Sequence, residues 1–91
     1  MLIEIVNRYG RRYVVKLHFR EGDEPIVAFH PNGREMDKPG LYAYYVSTFL
    51  GIEEGQGLWL EGSDREEIVD AKHVTEIKEW IRAQLKLRKG V

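Results

Sequence analysis

Apolar and polar residues alternate most regularly between Arg12 and Arg20. Tyr13, Val15, Leu17 and Phe19 fall on one side of an extended chain, and Arg12, Val14, Lys16, His18 and Arg20 on the other. The pattern predicts a half-buried antiparallel strand whose second face is open and cationic. Residues 2–7 are rich enough in β-branched side chains for a preceding strand, with Arg8-Tyr9-Gly10-Arg11 as the turn between them. Ile26–His30 reads as a third strand after the Glu21–Pro25 turn. Pro31-Asn32-Gly33 is a strong hairpin signal, and Arg34–Met36 is placed as a short fourth strand.

The period then changes. Asp37-Lys38-Pro39 resembles a helix start, and Leu41–Leu50 reads as a helix. Leu41, Tyr42, Tyr45, Val46 and Phe49 share its apolar face, Tyr44 and Ser47 point away, and Gly51 follows as C′. Leu58-Trp59-Leu60 and Glu67–Val69 are expected to form a hairpin around Gly62-Ser63-Asp64-Arg65. Ser63 with Glu66 also fits a capping box, which would instead begin one long helix at Asp64. The hairpin is preferred because Ile68-Val69 is β-branched and Asp70 can cap a separate final helix. In that helix Val74, Ile77, Ile81 and Leu85 form an inner stripe, widened by Trp80 and Leu87. The expected class is α+β: an antiparallel meander of three to four strands, a short helix, a β-hairpin and a C-terminal helix packed on the sheet.

Length bounds the architecture. Ninety-one residues, 43% apolar and 32% charged, suit one globular domain over residues 1–91. A domain of this size has one core and little room for a deep enclosed site. Cysteine is absent, which removes disulfides, thiolate metal sites and cysteine nucleophiles, and favours a cytoplasmic location. No apolar run approaches membrane-spanning length, and Met1 leads straight into a strand pattern, so neither a membrane span nor a signal peptide is expected.

Charge is uneven. The net value of −1 conceals blocks of +4 over residues 1–20, −9 over 21–76 and +4 over 77–91. Lys78, Arg82, Lys86 and Lys89 fall on one face of the last helix, where like charges at i,i+4 cost about 0.2–0.5 kcal/mol each. Such a stripe suits an anionic partner, or simply the helix C-terminus, where cations meet the macrodipole well. Arg8, Arg11, Arg12, Lys16 and Arg20 form a second basic group beside Tyr9 and Tyr13. Arginine forks and aromatic rings there suit phosphates and unpaired bases, while a charged sheet face also serves solubility alone.

Other chemistry is sparse. His18, His30 and His73 lack metal-binding spacing and read as isolated surface or rim side chains. Glu53-Glu54, Asp64, Glu66-Glu67 and Asp70 sit where turns and helix starts expect acids, Ser47 and Ser63 lie outside any nucleophile elbow, and the glycines form no phosphate loop. Most aromatics, Trp59 among them, read as core.

Three functions follow in order. The first is a small non-enzymatic protein-binding module, a regulator or inhibitor, using Tyr44, the acidic loops and a charged helix face. The second is a nucleic-acid-binding domain built on the two basic groups. The third is a small nuclease using His18. No cofactor or metal is expected. A homodimer through Trp80 and Leu87 is a further expectation.

Overall fold

The computed structural model describes residues 2–60 and 66–89. Four strands form an antiparallel sheet in chain order: β1 (Leu2–Val6), β2 (Arg12–His18), β3 (Ile26–Pro31) and β4 (Ala43–Tyr45). A helical turn, α1 (Val46–Leu50), follows β4 directly. β5 (Leu58–Leu60) and β6 (Glu66–Val69) pair as an antiparallel hairpin, and α2 (Ala71–Lys89) follows. The α+β class and the order of its parts agree with the sequence pattern. The long-helix alternative fails because Glu66–Val69 is a strand; the turn at 62–65 lies outside the described residues.

Two element assignments are corrected. The fourth strand is Ala43–Tyr45, and Arg34–Met36 lies instead in a turn-rich excursion. Asn32 and Gly33 both take positive φ, 53° and 69°, and Arg34 N–H donates to the Pro31 carbonyl (3.1 Å), as a tight turn requires. The chain leaving that turn does not return along β3. It comes back only at Ala43, whose strand pairs Ala28 with Ala43, Val27 with Tyr44 and Ile26 with Tyr45. The helix expected over Leu41–Leu50 therefore shrinks to Val46–Leu50, and Asp37-Lys38-Pro39 starts no helix. Its first turn is held from elsewhere: Ser47 N–H donates to Glu24 Oε1 and Val46 N–H to the Pro25 carbonyl. Gly51 ends α1 at φ −81°, a right-handed conformation, so it is not a left-handed C′ residue.

Register sorts the sheet into two faces. Ile3, Val15 and Phe29 lie abreast, as do Leu17, Val27 and Tyr44, and all point into the core. There they meet Val46 and Phe49 of α1, Val69, and Val74, Ile77 and Ile81 of α2. The inner stripe of α2 is thus buried over two turns, from Val74 to Ile81, with Leu85 and Trp80 half-buried at the margin. Leu41 and Trp59, expected inside, are 94% and 50% exposed. Leu41 is outside because no helix carries it inward.

The second face departs most from expectation. Arg12, Val14, Lys16 and His18 do point there, but Val14 and His18 are buried, together with Ala28 and His30 from β3. The excursion 31–42 supplies cover. Lys16 Nζ donates to the Met36 carbonyl at 2.9 Å. Gly33 approaches Val14 so closely that a Cβ on it would sit 3.1 Å from Val14 Cγ2. The open cationic face expected along β2 is therefore closed at its centre.

One buried polar residue organises the β1–β2 turn. Asn7 Oδ1 accepts the backbone N–H groups of Tyr9 (2.9 Å) and Arg11 (3.0 Å), while Asn7 N–H donates to the Arg11 carbonyl (2.9 Å). Gly10 completes the turn at φ +79°. Asn7→Ala removes one acceptor from two donors, and we expect a loss of about 1–3 kcal/mol in urea denaturation.

Candidate functional site

Most of the basic side chains marked in the sequence are engaged within the fold. Arg12 forms a two-pronged pair with Glu4 across β1 and β2, at 2.7 and 3.1 Å. That hydrogen-bonded guanidinium holds the Glu4 carboxyl below the usual carboxylate range. Arg8 reaches Asp70 Oδ1 with both its backbone N–H and Nε, each at 3.3 Å, which joins the first turn to the start of α2. Asp70 thus occupies the position before α2 while its side chain serves Arg8. Arg20 pairs with Asp23 at 2.9 Å, Lys16 is tied to Met36, and Lys78 Nζ donates to the Ile52 carbonyl. Arg11 lies exposed in a shallow hollow beside Arg12 and Tyr13. Arg82 and Lys86 are exposed on α2; Lys89 is the last residue of that helix.

The end of α2 meets the segment just past β2, where Arg88 and Arg20 line one groove. Arg88 lays its guanidinium 3.9 Å from the centre of the Phe19 ring, a close cation–π contact. Around them runs an open groove of about 510 Å³, lined by Phe19, Arg20, Glu21, Asp23, Pro25, Leu85 and Arg88. Its floor is apolar: Phe19, just past β2, Pro25, ahead of β3, and Leu85 from α2. Its rim is charged. Arg20 sits between Asp23 and the Tyr45 ring, 5.8 Å from the ring centre, and Tyr45 is 45% exposed. Among the described residues no carboxylate lies within ion-pair distance of Arg88. An aromatic floor beneath an arginine without an acidic partner suits an apolar side chain next to a negative charge.

Arg88 carried a signal in the sequence. It stands seven residues after Ile81 and so falls on the inner stripe, not on the basic face of Lys78, Arg82 and Lys86. A cation on the inner face near a helix end must either find an acid or cover an apolar group, and Arg88 covers Phe19. Phe19 and the Glu21–Pro25 turn were placed in the sequence, but nothing local indicates that α2 ends beside them.

The candidate interface residues separate. Tyr44 belongs to β4, not to the outer face of a helix, and packs edge-on against Phe29 with ring centres 6.1 Å apart. Trp80 is half-buried against the core, and Leu87 is 66% exposed.

The histidines are corrected as well. His18 and His30 are neither isolated nor superficial: they are 8% and 2% exposed, and their Nε2 atoms lie 3.0 Å apart in a direct hydrogen bond. Burial pushes both rings below the ordinary histidine range, and the neighbouring charge of Lys16 adds to it. A nuclease base needs access to a scissile bond, and His18 is instead turned into a sealed pair. Among the described residues no three His, Asp or Glu side chains cluster as metal ligands. No described helix is long and apolar enough to cross a membrane. Comparison with protein-family models, curated proteins and solved structures finds no match.

Proposed function

We propose that this chain is a small non-enzymatic protein-binding module. Its ligand is a segment of a partner protein, held in the groove between the Glu21–Pro25 turn and the C-terminal end of α2. The observation that carries this reading is the Phe19–Arg88 stack at the centre of that groove. The partner segment presents a bulky apolar side chain to Phe19, Pro25 and Leu85, with a carboxylate beside it for Arg88. A regulator or inhibitor of that partner would act through the same contact.

The engagement of five of the other marked cations supports a protein ligand over nucleic acid. Phosphate binding draws on many cations that are free to shed counterions into solution. Here Arg8, Arg12 and Arg20 face carboxylates, while Lys16 and Lys78 brace loops.

Selection from a random peptide library tests the reading. The chain is expected to enrich peptides with an aromatic or large aliphatic residue next to Asp or Glu. Arg88→Glu should weaken the selected peptides about 10–100-fold, the range of a central interface contact, and Lys86→Glu should leave them nearly unchanged. Selected peptides that bind both variants alike would overturn it. So would steeply salt-dependent binding to single strands that is lost on reversal of Arg82 and Lys86.

A further inference from the structure

His18 and His30 are not opposite one another in the sheet. His18 pairs with Ile26 and His30 with Val14, and the Lys16–Ala28 pair lies between them. Their rings bridge that interval, with centres 5.2 Å apart and Nε2 atoms at 3.0 Å. Ala28, fully buried, is small enough to let two imidazoles meet in the space above it. The bridge forms on the face that the 31–42 excursion covers, and His30 is the last residue before the excursion departs. Most of the excursion's residues are exposed, and it is tied to the sheet by the Lys16–Met36 hydrogen bond, Asn32 N–H donating to the Arg12 carbonyl, the Gly33–Val14 contact, the edge-on Tyr13–Tyr42 ring contact and Phe29 N–H donating to the Tyr42 carbonyl.

Proton count decides whether the bridge can exist. In the neutral pair one Nε2 carries hydrogen and donates to the lone pair of the other. A first proton from solvent enters at Nδ1 of the donor ring and leaves that bond intact. A second has only the accepting Nε2 left to occupy. Two N–H groups then point at each other across 3.0 Å between two positive rings, and the bond is gone. The charges facing the pair are Lys16 from β2, which opposes protonation, and Asp37 from the excursion, which favours it. A backbone hydrogen bond at Arg34 also favours a charged His30. β1 contributes Glu4 to this face, opposite Val14 and already bound to Arg12.

We propose that the His18–His30 pair is a proton-operated latch: while singly protonated or neutral it clamps the 31–42 segment to the sheet, and the second proton releases that segment with the four strands still paired. Release uncovers Val14 and Ala28 and frees Lys16 from Met36. The sign follows from burial. Both rings bind protons less readily in the closed state than in open chain, so closure is complete at neutral pH and above. It weakens as pH falls below the ordinary histidine value of about 6.5.

Amide hydrogen exchange on the full chain, corrected for intrinsic exchange rates, tests this between about pH 7.5 and pH 5. Protection of the Asn32 and Phe29 amides, whose hydrogen bonds run between the excursion and the sheet, should drop at least about tenfold on acidification, while Val15 and Val27 keep theirs. The ring signals of His18 and His30 should move over the same interval. In His30→Asn only one imidazole remains, no second proton can enter, and the pH dependence of protection in the segment should shrink to the part that burial of His18 alone supplies. His18→Asn asks the same from the other side if the first variant does not fold. Protection of 31–42 that is constant with pH, or that falls together with Val15 and Val27, overturns the latch, and the native chain alone decides between those results.

Discussion

Phe29→Ala is expected to destabilise the protein by about 3–5 kcal/mol, the usual cost of emptying a buried phenylalanine site. Phe29 stands mid-sheet in register with Val15 and is 2% exposed. It contacts Tyr44 edge-on at 6.1 Å and Phe49 at 5.8 Å between ring centres, so it joins β3, β4 and α1 in one aromatic cluster. Tyr44 belongs to a strand fixed by pairing with β3, and Phe49 to the helical turn that follows that strand directly, so the site cannot collapse easily. A small domain is stable by only about 5–15 kcal/mol, and the variant should therefore unfold at a much lower urea concentration with little change in slope. A cost below about 1 kcal/mol would mean that the site refills and that the aromatic cluster is not a fixed part of the core.

The second large effect lies on α2. Ile77→Ala should cost about 2–5 kcal/mol, because Ile77 is wholly buried between Val74 and Ile81 on the stripe that faces the sheet. Leu87→Ala, at 66% exposure on the same helix, should change stability little. The contrast between them reports docking itself. Equal small effects would show a helix that stands away from the sheet, and the groove between Leu85 and Phe19 would then lose its wall.

The sequence made elements legible where one period dominates. Tyr13, Val15 and Leu17 announced β2, and Val74, Ile77 and Ile81 announced α2. Asn32-Gly33 marked its turn correctly but not the route beyond it, because a tight turn only suggests that the chain reverses. Ala43-Tyr44-Tyr45 was read as helix because its aromatics also fit a helical face. Pairing with Ile26–Ala28 decides for strand, and that is a contact between segments some seventeen residues apart.

The face of β2 failed for a related reason. Arg12, Lys16 and Arg20 implied water on that side, yet lysine stems lie readily along apolar surface, and Val14 and His18 between them needed cover. No local signal foretells that Met36 provides a carbonyl for Lys16 or that Ala28 leaves room for two imidazoles. The candidate site shows the same division. Lys78, Arg82 and Lys86 were visible as a stripe, but one brace (Lys78 to Ile52) removes a member from the surface. Arg88 was visible only as a charge on the wrong face, and its meaning depends on Phe19, which lies 69 residues away in the chain.

The most direct test of the binding reading is a map of backbone amide shifts while a selected peptide is titrated into the native chain. The proposal requires the largest changes at Phe19, Arg20, Glu21, Leu85 and Arg88, fading toward Lys78 and Arg82. Changes centred on Arg82 and Lys86, with Phe19 and Arg88 silent, would contradict it and move the ligand to the basic face of α2.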